Sequence, residues 1–345
     1  MLCPYIRSSS ANQYKTCEMR YFFEYVLGLK SPTGKAACLG TIFHKTMEVR
    51  SLTKKAMQEN KTTFIDDNFG ELTIAQGLDF TYIHDLSFNF YKKAEPKLTF
   101  DDSDYKTVLK WIENTLSKYP DYDPINLDIV EAELFFDIPI DKPWAYYDTN
   151  IGGQQIKGQL HIKGTMDTVV KLSDNVYELV DYKSGKHRKD FATGEEKDLE
   201  YLKNDVQLLL YLIALKETYP DKHFILSLFY INNGGIFSVA ADDDMLDRAW
   251  KMLEKTYKSI IKNNCPSQLD KDHKDFRCRL LCPFSKKIKD QNQVIVDCDD
   301  ATAEMSVCNY FKQQISKKGL IKTTTDNINL KTFGSYGSGG GRIAE

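Results

Sequence analysis

Residues 164–183, GTMDTVVKLSDNVYELVDYK, admit few structures other than a β-hairpin. Residues 165–172 and 176–183 are rich in Val, Thr and Tyr, which fit a pleated surface, and Ser173-Asp174-Asn175 between them is turn chemistry. Side chains alternate along a strand, so Asp181 and Lys183 share a face while Tyr182 points away. Asp167 on the neighbouring strand can face the same spot. Two carboxylates and a lysine so placed have the make-up of a magnesium site with a water-activating amine. The competing reading is a solvated polar face on an ordinary amphipathic hairpin.

The chain of 345 residues has room for one large domain or two moderate ones. Hydrophobic residues make up 42% and charged residues 28%, which argues for a globular protein and against wholesale disorder. A formal net charge of −3 does not announce a nucleic-acid binder. Charge is uneven, however: between Lys251 and Lys289 eleven Lys/Arg stand against four Asp/Glu, an excess of seven positives. Such an excess is either a solvated face or a source of phosphate contacts. No run of about 18 apolar residues occurs, so no membrane span is expected. The opening MLCPYIRSSS lacks the apolar core of a secretory signal. Eight cysteines without an export signal read as thiols or metal ligands rather than a disulfide framework, in an intracellular protein.

Along the chain, Ser8-Ser9-Ser10 offers an N-cap to a helix in which Tyr14, Cys17, Tyr21, Phe22, Tyr25 and Val26 recur at helical spacing. After Ser31-Pro32-Thr33-Gly34 a second helix begins near Leu39, with Gly40 and His44 on one face. Glycine costs a helix about 1 kcal/mol against alanine, which points to something packed close to its backbone. Residues 60–125 read as mainly helical, with Asp/Lys-rich interruptions at 66–71 and 101–106. Its aromatics (Phe80, Tyr82, Phe88, Phe90, Tyr91, Trp111) serve either as packing or as stacking surfaces. IVEAELFFDIPI alternates as a strand, with Glu131 and Glu133 on one side, and residues 151–162 supply another strand. Residues 199–219 read as a helix ended by Pro220, with Gln207 and Tyr211 four apart on one face. A buried strand over 224–231 and a helix over 245–261 follow. FGSYGSGGGRIAE is Gly/Ser-rich and reads as a flexible tail. Gly34-Lys35 is followed by Ala36, so there is no phosphate-binding loop and no motor.

Four pieces, Gly40-Thr41-Ile42-Phe43-His44, Gly164-Thr165-Met166-Asp167, Asp181-Tyr182-Lys183 and Gln207-Leu208-Leu209-Leu210-Tyr211, together resemble the RecB-like branch of the PD-(D/E)XK nucleases. They stand in the family's order, and the resemblance spans about residues 8–285. It implies an α/β, restriction-endonuclease-like core, a mixed β-sheet flanked by helices, with a helical insertion and a Cys-containing C-terminal segment. The corresponding division is 1–59 (N-terminal helices), 60–125 (helical insertion, a candidate arch threading a single strand), 126–262 (nuclease core), 263–315 (Cys-rich closing segment) and 316–345 (flexible tail).

The resemblance further implies that His44, Asp167, Asp181 and the Tyr182 carbonyl hold Mg²⁺ or Mn²⁺, and that Lys183 orients or polarises the attacking water. Gln207 and Tyr211 would brace the site or touch the DNA backbone, and Glu133, favoured slightly over Glu131, would be the family's upstream glutamate. Several members of this branch carry an iron–sulfur cluster. Cys17, Cys278 and Cys282 resemble three ligands of a [4Fe–4S] cluster, with Cys298 or Cys308 as the fourth. The pair departs from the family pattern, being spaced C-x-x-x-C.

The basic run Lys186, His187, Arg188 and Lys189 is placed for phosphate contacts. The expected function is a metal-dependent DNA exonuclease acting on single-stranded DNA or free ends, in recombination, repair or phage-type DNA processing. The expected setting is the cytoplasm of a bacterial or phage-infected cell, with a recombination or replication protein as partner and no membrane partner. The alternatives are a non-cleaving DNA-end-binding or partner-binding module with a nuclease fold, and an RNA-processing nuclease.

Overall fold

The structure, a computed structural model, describes residues 1–29, 31–151, 153–185, 194–232, 234–290 and 300–327. The chain forms two compact units, each discontinuous in sequence. One is built from Thr33–Phe135 and Thr165–Asp247, the other from Met1–Pro32, Phe136–Gly164 and the described residues of Arg248–Arg342.

The main sheet and its helices comprise helix α1 (Lys35–Gln58), strands β1 (Ile129–Pro139), β2 (His161–Ser173) and β3 (Val176–Lys183), helix α2 (Val206–Thr218), and strands β4 (His223–Tyr230) and β5 (Gly235–Ala240), with β1 up to Phe135 and β2 from Thr165 in the first unit. The sheet order is β2-β3-β4-β5, with β1 beside β2. The β2–β3 and β4–β5 pairs are antiparallel and β3–β4 is parallel, so the sheet is mixed, as the sequence implies. Apolar residues decide the layers. Leu179 and Val180 of β3 are fully buried, which makes it a central strand covered on both faces. Residues 208–215 of α2 are buried without interruption, the signature of a helix enclosed on all sides. From α1, Ile42, Phe43 and Met47 join Val180, Tyr182 and Phe229 in one core cluster.

Segment 60–125 is not helical throughout: Thr63–Asp66 and Gly70–Thr73 pair as a β-hairpin. Its turn falls in the Asp-rich interruption, where Asp66 accepts from the amides of Asn68 (2.9 Å) and Phe69 (3.0 Å). Most aromatics of this segment pack on core clusters. Phe88 is buried in the cluster around Ile42, with Phe80, Tyr91 and Trp111 against it, while Tyr82 packs on a second cluster around Val49. The second helix starts at Lys35, one turn earlier than its apolar pattern indicates. Residues 199–219 form two helices, Leu199–Lys203 and α2, because Asp205 turns the chain to cap α2.

In the second unit the N-terminal helix is broken. Helix Ser8–Thr16 ends at Cys17, whose backbone is extended, and a short helix resumes at Glu18. The Met19 amide donates to the Ser267 carbonyl (3.0 Å) instead of to a carbonyl one turn back. The cap of the first helix is Arg7 rather than a serine, and Ser10 reaches back to the Arg7 amide at 2.9 Å. The stretch 151–162 belongs to a hairpin, Tyr146–Ile151 with Gln154–Gln159, followed by the start of β2. Among the described residues no helix is long and apolar enough to cross a membrane.

Candidate active site

The β2–β3 register, with Thr168 opposite Val180, brings Asp167 beside Asp181. The Tyr182 amide donates to Asp167 Oδ2 at 2.8 Å, and His44 Nδ1 on α1 lies 3.1 Å from the same oxygen. Gly40, one turn before His44, allows that helix close to the end of β3: a Cβ there would lie 2.9 Å from Ser184 Oγ.

Asp181 is 2% exposed, so its carboxylate is costly without partners. Lys183 Nζ forms an ion pair with Asp181 Oδ2 and donates to Gln207 Oε1 at 2.7 Å. The Gln207 amide nitrogen donates to Asp181 Oδ1 (2.8 Å) and to the Tyr211 hydroxyl (2.7 Å). That hydroxyl donates to the Thr165 carbonyl at 2.6 Å. Asp205, accepting from the Gln207 and Leu208 amides, starts α2 at the point that puts Gln207 in its first turn. All six residues expected from the motifs, His44, Asp167, Asp181, Lys183, Gln207 and Tyr211, are thus brought together.

Burial alone would lower the pKa of His44, but the charge and hydrogen bond of Asp167 outweigh it and raise it to about 9. Asp167 is desolvated too, yet the His44 imidazolium holds its carboxyl below the usual range. For Asp181 burial wins, aided by the Asp167 charge, and its carboxyl is pushed up against the pull of Lys183. Burial opposes charge on Lys183, and the two aspartates more than restore it.

Glu131 and Glu133 do not share surroundings, although simple alternation puts them on one side. Glu131 forms an ion pair with Lys55 at 2.6 Å. Glu133 has φ +48°, a left-handed residue within a strand, and this interrupts the alternation. Its carboxyl is pushed up by burial first, then by the charges of Asp167 and Glu48. Sequence reading passes over Glu48, although its spacing of four from His44 on α1 was the available signal. Glu48 accepts from Lys45 (2.8 Å), whose ammonium also lies 2.7 Å from Asp66.

Three oxygen donors with one imidazole suit Mg²⁺ or Mn²⁺. Asp181 Oδ2 is a buried oxygen whose described partner is the Lys183 ammonium, so a positive charge is already accommodated at it and the donor set fits a cation. Among the described residues no three His, Cys, Asp or Glu side chains already converge as metal ligands. Here the carboxylates are neutralised by His44 and Lys183 instead.

In the second unit Cys17, Cys278, Cys282 and Cys308 line one small cavity, together with Arg20 and Gln268. Gln268 donates to Cys308 Sγ at 2.9 Å. Burial pushes the Cys308 thiol up to about 12, and burial and the neighbouring thiols also raise Cys278. Cys298 lies outside the described residues, as do Lys186, His187, Arg188 and Lys189.

The sequence matches the PD-(D/E)XK nuclease superfamily over residues 8–286. It is 23% identical over 223 residues to one subunit of the ATP-dependent helicase/deoxyribonuclease of Lactococcus lactis subsp. lactis (strain IL1403). That alignment covers 63% of this chain and 18% of the relative, so the chain spans under a fifth of that protein's length. The crystal structure of a candidate exonuclease from Eubacterium rectale aligns with a TM-score of 0.46 and 12% identity, over 86% of this chain and 91% of that one.

Proposed function

Because the chain belongs to the PD-(D/E)XK nuclease superfamily, we propose that it is a metal-dependent exonuclease hydrolysing phosphodiester bonds of DNA at single-stranded or free ends. The observation that carries this reading is the Gln207 carboxamide, which holds Asp181 and Lys183 as one unit beside Asp167. His44, Asp167, Asp181 and the Tyr182 carbonyl would hold a divalent cation, Mg²⁺ or Mn²⁺. When bound, the cation supplies Lewis-acid stabilisation of the charge that builds on the phosphate. Lys183, kept charged by its aspartates, donates hydrogen bonds and orients the attacking water. Tyr211 fixes the Gln207 rotamer through its own bond to the Thr165 carbonyl. Glu133, with its raised pKa, is the group suited to hold a proton beside the site.

Cys17, Cys278, Cys282 and Cys308 would hold a [4Fe–4S] cluster, with Cys308 as the fourth ligand; the four line one small cavity but do not converge as metal ligands among the described residues, so the cluster would have to draw them together. Lys186, His187, Arg188 and Lys189 follow the Asp-Tyr-Lys strand directly and would contact phosphates. The likeness to part of a helicase/deoxyribonuclease supports a role in recombination or repair, alongside a helicase or replication partner.

The test is digestion of end-labelled single-stranded DNA, double-stranded DNA and RNA with Mg²⁺, Mn²⁺ or EDTA. Metal-dependent shortening from labelled DNA ends is the expected result. Cleavage of RNA alone would transfer the activity to RNA processing, and binding without cleavage in any metal would make the chain a DNA-end-binding module.

A further inference from the structure

β3 and β4 are parallel and in register, with Lys183 opposite Tyr230 and the Ile231 amide donating to the Lys183 carbonyl at 3.1 Å. Tyr230 therefore stands at the same sheet end as Lys183. Its hydroxyl accepts from Lys197 Nζ at 3.4 Å. The Lys197 ammonium lies 5.7 Å from the Tyr230 ring centroid and 4.7 Å from that of Tyr201. Tyr230 is buried and Lys197 half-buried.

Two carboxylates of the same segment have other partners: Asp198 accepts from the Tyr201 amide at 2.8 Å, and Glu200 lies 3.6 Å from Lys203. The described contacts of Lys197 are the Tyr230 hydroxyl and the Tyr201 and Tyr230 rings, with no carboxylate among them. The Tyr201 ring face and the Tyr230 hydroxyl hold the ammonium in place but return only part of its lost hydration. A half-desolvated cation held in that way is prepared for an anion.

We propose that Lys197, clamped between Tyr201 and Tyr230, binds a backbone phosphate of the nucleic-acid strand next to the bond cleaved at Lys183. The inference rests on the nuclease reading and adds a contact that no motif of the chain specifies. Tyr230 is the positioning residue: it fixes the ammonium through its hydroxyl and ring.

The test uses the full chain carrying Asp181→Ala, in EDTA, with fluorescein-labelled oligothymidine. Binding is read by anisotropy across a salt series. Replacing Lys197 by Gln should weaken binding at every length and flatten the slope of log K against log salt by about 0.7, one single-strand phosphate contact. Lys197→Arg should keep the slope, and thermal melting should be unchanged in both. An unchanged slope with Lys197→Gln, or a fall in melting temperature with binding intact, would overturn the proposal and leave Lys197 a structural staple. Absence of cleavage by the chain with Asp181 restored would count against the nuclease reading alone, because the binding measurement does not depend on turnover.

Discussion

The Gln207 amide nitrogen lies 2.8 Å from Asp181 Oδ1, joining the first turn of α2 to the most buried acid of the central strand. The same side chain accepts from Lys183, so a single neutral residue sets the spacing between the acid and the amine. Replacing Gln207 by Ala should lower kcat about 10- to 100-fold, the usual cost of losing a group that orients metal-site residues. Its effect on folding should be about 1–3 kcal/mol, because the buried Asp181 carboxylate loses a donor. Single-turnover cleavage and thermal melting of the same preparation check both.

Glu133 and Glu131 should separate cleanly. Glu131→Gln disturbs a half-exposed pair with Lys55 and should leave cleavage within about twofold, since such pairs contribute about 0–1 kcal/mol. Glu133→Gly removes a left-handed non-glycine residue, which should stabilise the chain by about 1 kcal/mol while lowering cleavage. Melting and cleavage moving in opposite directions is the expected signature.

Without metal, the His44–Asp167 pair should give stability a pH window. His44 has a raised folded pKa, so its contribution is complete below its unfolded value near 6.5 and is lost as pH rises through about 9. Asp167 has a lowered folded pKa, so its contribution is present above its unfolded value near 3.9 and is lost as pH falls through the folded one. Melting in EDTA should therefore decline from pH 6.5 to 9.5, and His44→Asn should flatten that decline.

Much of this site was legible in the sequence because it is local. Strand alternation places Asp181 and Lys183 together, a spacing of four places Gln207 with Tyr211, and the glycine before His44 signals close packing, here against Ser184. Contacts made by backbone or by distant segments were not legible. Nothing in the spacing of Thr165 indicates that its carbonyl receives Tyr211, and alternation fails at Glu133 because one residue adopts a positive φ. The break at Cys17 is similarly set by a carbonyl almost 250 positions away, Ser267. The packing partners of Phe88, Phe80, Tyr91 and Trp111, which include residues of α1 and the sheet, were likewise not legible from their spacing.

The cysteine cavity gives a separate prediction. Cys278→Ala or Cys308→Ala should remove visible absorbance and lower the melting temperature of anaerobically purified protein, whereas Cys38→Ala, in the other unit, should leave the absorbance intact. Colourless wild-type protein with free thiols would count against a cluster.

The most direct test compares end-labelled DNA cleavage by the wild type and by Asp181→Ala and Lys183→Ala, with circular dichroism and DNA binding measured alongside. These side chains act on the transition state, so both substitutions should reduce cleavage at least about 100-fold while fold and binding persist. Cleavage at the wild-type rate by either folded variant would contradict the assignment of the reaction to this site.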